Sequence, residues 1–353
     1  EQGAEVIKVE PIELGDPMRH LGSSKGGISA LFANINRGKR SLRLDLKQDE
    51  GRAVIEALVA ETDVLLCNYR PGVMDGLGLG SAALRAINPR LIYAALSGFG
   101  VEGPYRDRPA YDPIIQAQAG FTAVQSEGRE TPEFMRNLLC DKITAYTACQ
   151  AVTAALFRRE RTGAGQHIDL SMMDAGLYFL FPDGFMHHTL LDNDATHAPP
   201  LANLLYQPME TADGALTVSA GSPKQQVGLV QALDAVDLLA DERFAAPERL
   251  VQNIEAFRDA LRERAVAFDT DALLARLEQH DVPAARLMDH EAVLAHPQYA
   301  ATGAIDESDH PLLGRMRRVG PPVRFGGERA APASDCPAHG QHTREILAEL
   351  GRD

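Results

Sequence analysis

A layered α/β fold in two bodies is what the order of apolar runs predicts, and three observations carry it. Short strand-like runs alternate with helical patterns, the arrangement of strands covered by helices. Several of those runs are almost continuously apolar, as in a parallel sheet buried on both faces. The chain has 353 residues, more than one minimal core needs, which suggests two domains.

Taken in order, "VIKVE" at 6–10, "RSLRLDL" at 40–46, "DVLLCN" at 63–68, "LIYAALSGF" at 91–99 and "HIDLSM" at 167–172 read as strands. Between them, "QDEGRAVIEALVAE" and "DKITAYTACQAVTAALFRRE" repeat apolar residues at helical spacing. The opening "EQGAEVIKVE" reads as a helix end followed by the second strand of a βαβ unit, so an opening strand and helix are expected ahead of it.

A second block starts at "METADGALTVSAGSPKQQVGLVQAL", with one strand and helices near 224–234, 253–266 and 270–280. Its flanks are rich in Pro and Gly, as linkers are. The chain therefore divides into a large body at 1–190, a linker at 191–208, a small body at 209–300, a linker at 301–330, and a return to the large body at 331–353. "HTREILAELG" is the helix that makes that return.

Net charge is −14, so the overall field disfavours nucleic acid and anionic membrane surfaces. An anionic ligand must then be held locally. Four cysteines (Cys67, Cys140, Cys149, Cys336) lie far apart without a CxxC pair, and the first three sit in apolar contexts; buried thiols in a reducing cytosol are expected, without a zinc site. No apolar run approaches 18 residues, and a cytoplasmic protein that does not cross a membrane is expected.

Several motifs admit two readings. "GLGLG" at 76–80 does not follow a strand directly and has no acidic partner at the spacing of a dinucleotide loop, so a plain turn is expected. His187 and His188 are adjacent and point to different sides of a helix, which disfavours a metal site. Arg37, Lys39, Arg40, Arg43 and Lys47 form the densest basic cluster; they are either a solvated edge or a patch for a phosphorylated ligand. "NYRPG" at 68–72 and "LSGFGVEGP" at 96–104 end strands, where open α/β sheets place ligand contacts. In "GAGQHIDLSMMDAG", Gly163 and Gly165 make a turn, a short strand alternates, and Asp174 falls at the strand-to-helix junction. A helix N-cap is the plain reading, and it does not exclude chemistry, because the same helix amides would keep the carboxylate ionised and oriented.

These motifs together, with "GAEVIKVEP", "NRGKRSLRLDLK", "DVLLCNYRPGVMDGLGL", "NPRLIYAALSGFGVEGP", "YDPIIQAQAG", "LCDKITAYTACQAVTAALFRRERTGAGQHIDLSMMDA", "TADG" and "GQHTREILAELG" in this order, resemble the class III CoA-transferase family, the group of formyl-CoA and carnitine CoA-transferases. The resemblance spans nearly the whole chain. It implies a Rossmann-like large domain, a small α+β domain and an interlocked homodimer. It also implies coenzyme A as a substrate, no metal, acyl-CoA and carboxylic acids as partners, and Asp174 as nucleophile. By position, the CoA contacts fall on Leu44 to Lys47, on Asn68, Tyr69 and Arg70, and on Leu96, Ser97, Gly98 and Phe99, with Tyr111 and Asp112 near the thioester.

The chain departs from the racemase branch of that superfamily, which resembles α-methylacyl-CoA racemase. Tyr111 stands where that branch has a histidine, and Ser222 stands near the place of a glutamate. Proton exchange at an α-carbon needs a base on each face, so a CoA-ester racemase or isomerase is the lesser reading. A non-catalytic acyl-CoA-binding dimer is another. The tetraglycine loop of the formyl-CoA transferases is absent, and "AGSP" at 220–223 is the candidate cover. Pro11 and Ile12 replace a basic residue of some members. Tyr178, Phe179, Phe181, Phe185 and Met186 either line a pocket for a medium-sized organic acid or pack a core.

Overall fold

The computed structural model describes residues 2–126, 130–192, 194, 208–330 and 334–352. They form two units, Glu1–Gly184 with Pro297–Asp353, and Phe185–His296. Most of the linker expected at 191–208 lies outside the described residues.

In the larger unit, β1 (Val6–Glu10) pairs in parallel with β2 (Lys39–Arg43). After helix α1 (Asp49–Glu61), β3 (Val64–Cys67), β4 (Ile92–Ser97) and β5 (His167–Ser171) form a second parallel sheet in that order. Leu42, Val54, Ile55, Val59, Leu79, Leu84, Leu91 and Tyr93 fill one core cluster, and Ile346 from the final helix α9 (Thr343–Glu349) joins it from some 300 positions away in sequence. Each such side chain contributes about 1.5–3 kcal/mol on burial, so the C-terminal return is held by apolar contact and not only by chain connectivity.

Helix α2 (Ser81–Ile87) leads into β4, and α3 (Asp112–Ala119), α4 (Leu139–Thr162) and α5 (Met172–Gly184) pack together beside the three-stranded sheet. Gly163 closes α4 with φ of +75°, its N–H on the Arg159 carbonyl at 2.8 Å, the left-handed stop that glycine takes without strain. Gly176 lets α5 approach Phe121, Ala119 and Cys140 closely.

The smaller unit holds β6 (Met209–Glu210), β7 (Ala215–Val218), α6 (Pro223–Ala232), α7 (Ile254–Ala265), α8 (Thr270–Gln279) and β8 (Ala284–Arg286). Its own core includes Leu216, Val230, Leu233, Phe244, Leu261, Leu273 and Leu277.

The segment 301–330 is not a plain linker. It carries an antiparallel hairpin, β9 (Ile305–His310) with β10 (Gly314–Val319), assigned to the larger unit. The Pro and Gly content masked this, because "DESDH" and "RMRR" pair through cross-strand charges such as Asp306 with Arg318 at 2.8 Å rather than through apolar alternation. Cys149 is likewise a departure, exposed on α4, while all four cysteines are free.

The buried pair of Glu10 and Arg19 ties the larger unit together. Arg19 Nε donates to Glu10 Oε2 at 2.7 Å and Nη2 donates to Oε1 at 2.7 Å. Ser41 Oγ donates to Oε1 at 2.6 Å, the Asp16 N–H reaches Oε2 at 3.0 Å, and Arg19 Nη1 donates to the Pro337 carbonyl at 3.0 Å. The guanidinium also lies 3.8 Å from the centroid of the Phe32 ring. Burial by itself raises the Glu10 carboxyl, but the bonds from Arg19, Ser41 and Asp16 outweigh it and hold the group at about 2.

Candidate active site

β4 and β5 end level with each other, and β3 ends two residues earlier on the same side of the sheet. Cys67 pairs with Ala95, and Ser97 pairs with Ser171, so Asn68, Gly98 and Met172 all leave the sheet at the same edge. Ligands of open parallel sheets bind outside that edge.

Asp174 sits in the first turn of α5, three residues after Ser171. Ser171 Oγ accepts the Asp174 N–H at 3.1 Å, so Ser171 is the cap of this helix and the N-cap reading of Asp174 is overturned. The physical reason is one of phase: the strand runs to Ser171 and helical geometry starts at Met172, which puts Asp174 at the third helical position. Its carboxylate is exposed, and among the described residues no hydrogen bond or ion pair engages it.

Gly98 builds the wall beside it. The Gly98 carbonyl accepts the Met173 N–H at 3.1 Å, joining the loop after β4 to the start of α5. A Cβ on Gly98 would lie 2.2 Å from the Ala110 Cβ, so only glycine lets the segment before Tyr111 come this close. Three pieces of chain, 96–100, 110–112 and 171–174, therefore converge on Gly98.

Tyr111 is 76% exposed at the start of α3. Asp112 is buried: Oδ1 accepts Gln116 Nε2 at 2.6 Å and Oδ2 accepts the Asp141 N–H at 3.0 Å. It supplies from outside the cap that α4 lacks, since Leu138 offers no side-chain cap. Both its oxygens are occupied, so its carboxylate shapes this region by holding α3 to α4. Burial first, and then the Asp112 charge, push the Asp141 carboxyl up.

The remaining expected CoA contacts divide by exposure. Asn68, Tyr69, Arg70 and Lys47 are exposed, while Leu96, Ser97, Gly98 and Phe99 are half-buried at the β4 end. Leu44 belongs to the core, and its N–H is bonded to the Glu10 carbonyl at 3.0 Å. The basic cluster is also split. Arg40 is caged by Glu5, Glu345 and Glu349 at 2.7, 2.9 and 2.6 Å, which removes it from any phosphate patch. Arg37 Nη2 donates to the Val319 carbonyl at 2.8 Å and Lys39 to Asn36 Oδ1 at 2.9 Å, leaving Arg43 and Lys47 as its outward members.

"GLGLG" is a turn: Gly78 has φ of +75° and Leu79 between them is fully buried. The core-packing reading of the aromatic run after Asp174 does not hold for Tyr178 and Phe179, which are 85% and 58% exposed. Ser222 caps α6 in a reciprocal box with Gln225, so "AGSP" in the smaller unit is a structured helix start. Among the described residues no group of three or more His, Cys, Asp or Glu side chains could hold a metal ion, and no helix is long and apolar enough to cross a membrane.

Sequence reasoning missed two features. Ser171 was legible, because "SMMD" has the Ser-x-x-acid spacing of a helix cap. The stack of Phe99, Tyr105 and Arg108 was not, because those residues meet through loop folding. The Phe99 and Tyr105 rings meet edge to face at 5.4 Å, and the Arg108 guanidinium lies 3.7 Å from the Tyr105 centroid.

The sequence model for CoA-transferase family III matches residues 1–343. The chain is similar to a succinyl-CoA–D-citramalate CoA-transferase of Chloroflexus aurantiacus, 31% identical, covering 99% of this chain and 87% of that protein. It is 34% identical to an acetyl-CoA:oxalate CoA-transferase of Acetobacter aceti over 92% of this chain and 83% of that one. In three dimensions it is similar to a CaiB/BaiF family protein from Brucella suis, with a TM-score of 0.83 and 33% identity over 99% of this chain and 92% of that one.

Proposed function

The chain belongs to CoA-transferase family III, and on that premise we propose that it moves CoA from an acyl-CoA thioester to a carboxylic acid with Asp174 as the covalent carrier. The observation that carries this reading is the Asp174 carboxylate itself, exposed just beyond the carboxyl edge of a parallel sheet and without a hydrogen bond or ion pair among the described residues, while Ser171 does the capping in its stead.

The chemistry follows from a free carboxylate. One Asp174 oxygen attacks the thioester carbonyl carbon; the C–S bond breaks, and CoA leaves as thiolate with the electron pair. The resulting mixed anhydride is attacked by the thiolate at the aspartyl carbonyl, which expels the donor acid as carboxylate and leaves an aspartyl-CoA thioester. The acceptor carboxylate attacks that thioester, and the released thiolate then attacks the acceptor's carbonyl, regenerating Asp174. Two acyl transfers each way replace one improbable exchange between carboxylates. The anhydride hydrolyses readily, so water must be kept from it.

Asn68, Tyr69, Arg70, Lys47 and the 96–99 loop are assigned to the CoA moiety within a Rossmann-like arrangement of the larger unit, a reading supported by their place at or beside strand ends. Tyr111 faces outward at the same wall and is assigned to the thioester. A homodimer is supported by exposed Tyr146 and Phe157 on α4 and Tyr178 on α5, apolar surface of the kind that partner subunits cover. A reducing, cytoplasmic setting fits the four free thiols.

Incubation with acyl-CoA followed by hydroxylamine should mark Asp174 with a hydroxamate mass shift that Asp174→Ala lacks. Deuterium wash-in at the α-carbon without any acceptor acid, and no adduct, would instead make the protein an isomerase. Tight CoA binding with neither event would make it a binding protein.

A further inference from the structure

Resting on the transferase reading above, we propose that Arg108 is a specificity-determining residue that binds the second carboxylate of a dicarboxylic acid while the first exchanges CoA through Asp174. The two similar transferases named above act, by their names, on succinyl and citramalate groups in one case and on acetyl and oxalate groups in the other, so each takes at least one acid with two carboxyl functions. Such an acid brings a spare negative charge toward the Asp174 carboxylate in a chain whose net charge is already −14. A cation must offset it.

Arg108 is the cation the loop geometry presents. Its guanidinium carbon lies over the Tyr105 ring, 3.7 Å from the centroid, and Tyr105 meets Phe99 edge to face at 5.4 Å. Phe99 follows Gly98, whose carbonyl holds the Met173 N–H, and Ala110, two residues beyond Arg108, packs on the same glycine. Both ends of the 99–110 segment are thus anchored to the start of the helix that carries Asp174.

Arg108 is also free to act. Among the described residues no carboxylate pairs with its side chain, whereas Arg106 lies 3.8 Å from Asp107 and Arg40 is caged by three glutamates. With one face on a ring, the in-plane N–H fork stays open, the geometry that matches a carboxylate with two parallel bonds. The stack also restrains the side chain before the ligand arrives, which lowers the entropy lost on binding.

The test compares acceptors of equal length with the full chain and acetyl-CoA as donor: succinate against butyrate, and glutarate against valerate. In Arg108→Gln the ratio of kcat/KM for dicarboxylate over monocarboxylate should fall about 10- to 100-fold, carried mainly by KM, the range expected for losing a charged hydrogen-bonded contact. Arg108→Lys should recover part of that ratio, because the charge returns without the fork. An unchanged ratio in Arg108→Gln, an equal loss for both acids, or a wild-type enzyme that does not distinguish the pairs overturns the assignment while leaving the transferase reading intact. Failure of the wild-type chain to transfer CoA to any acid, with no hydroxylamine adduct on Asp174, overturns both.

Discussion

Glu10 ends one parallel strand and Asp174 stands three residues beyond the end of another, and the protein treats the two carboxylates in opposite ways. Glu10 is 1% exposed and receives four bonds, from Arg19 twice, Ser41 and the Asp16 amide. Asp174 is exposed and receives none among the described residues, although it stands on a helix start where a cap was expected. A saturated acid holds chain segments together and has no lone pair left to attack with. A bare acid adds little to stability and keeps its nucleophilic oxygen.

That contrast predicts opposite phenotypes, and the largest effect belongs to the bare acid. Asp174→Ala should lower CoA transfer by about 10⁴-fold or more, as loss of a covalent nucleophile does. Its thermal midpoint should stay close to wild type, measured by calorimetry on both proteins. A large drop in the midpoint would mean that Asp174 is structural after all, and the comparison would collapse.

Removing one partner of the saturated acid should do the reverse. Arg19→Met strands a buried charge and should cost about 3–5 kcal/mol of stability by denaturant unfolding, with the specific activity of the folded fraction retained. The pH dependence sharpens the same point. Glu10 is held at about 2 against an ordinary 4.5, so the stability it contributes is fully present above pH 4.5 and is lost as pH falls toward about 2. Glu10→Gln should remove that part of the acid-induced loss while lowering stability at neutral pH. An unfolding curve against pH that Glu10→Gln leaves unaltered in slope would contradict this.

Smaller effects probe the scaffold around the bare acid. Gly98→Ala forces the new methyl against Ala110 and should cost about 1–3 kcal/mol, with a further loss of kcat because the loop after β4 and the segment before Tyr111 must separate. Ser171→Ala removes the cap and should cost about 1 kcal/mol, read from the urea midpoint. Both substitutions leave the Asp174 carboxyl in place, so activity lost beyond the stability change reports its positioning.

The strands, the main helices, the place of Asp174 at a strand-to-helix junction and the glycine turns were legible in the sequence, because apolar periodicity and turn residues act over a few neighbours. Ser171 as cap was legible too, in "SMMD". Tertiary packing alone decided which carboxylates and cations were spent. Arg40 looks like a ligand-binding arginine until Glu5, Glu345 and Glu349 close on it from both chain ends. Asp112 looks like a site acid until Gln116 and the Asp141 amide occupy it, and the charged hairpin at 305–319 looks like linker until its strands pair. Local spacing determines what a side chain is and which element carries it. Whether its charge remains available depends on partners tens to hundreds of residues away, and only the folded chain brings those within hydrogen-bond reach.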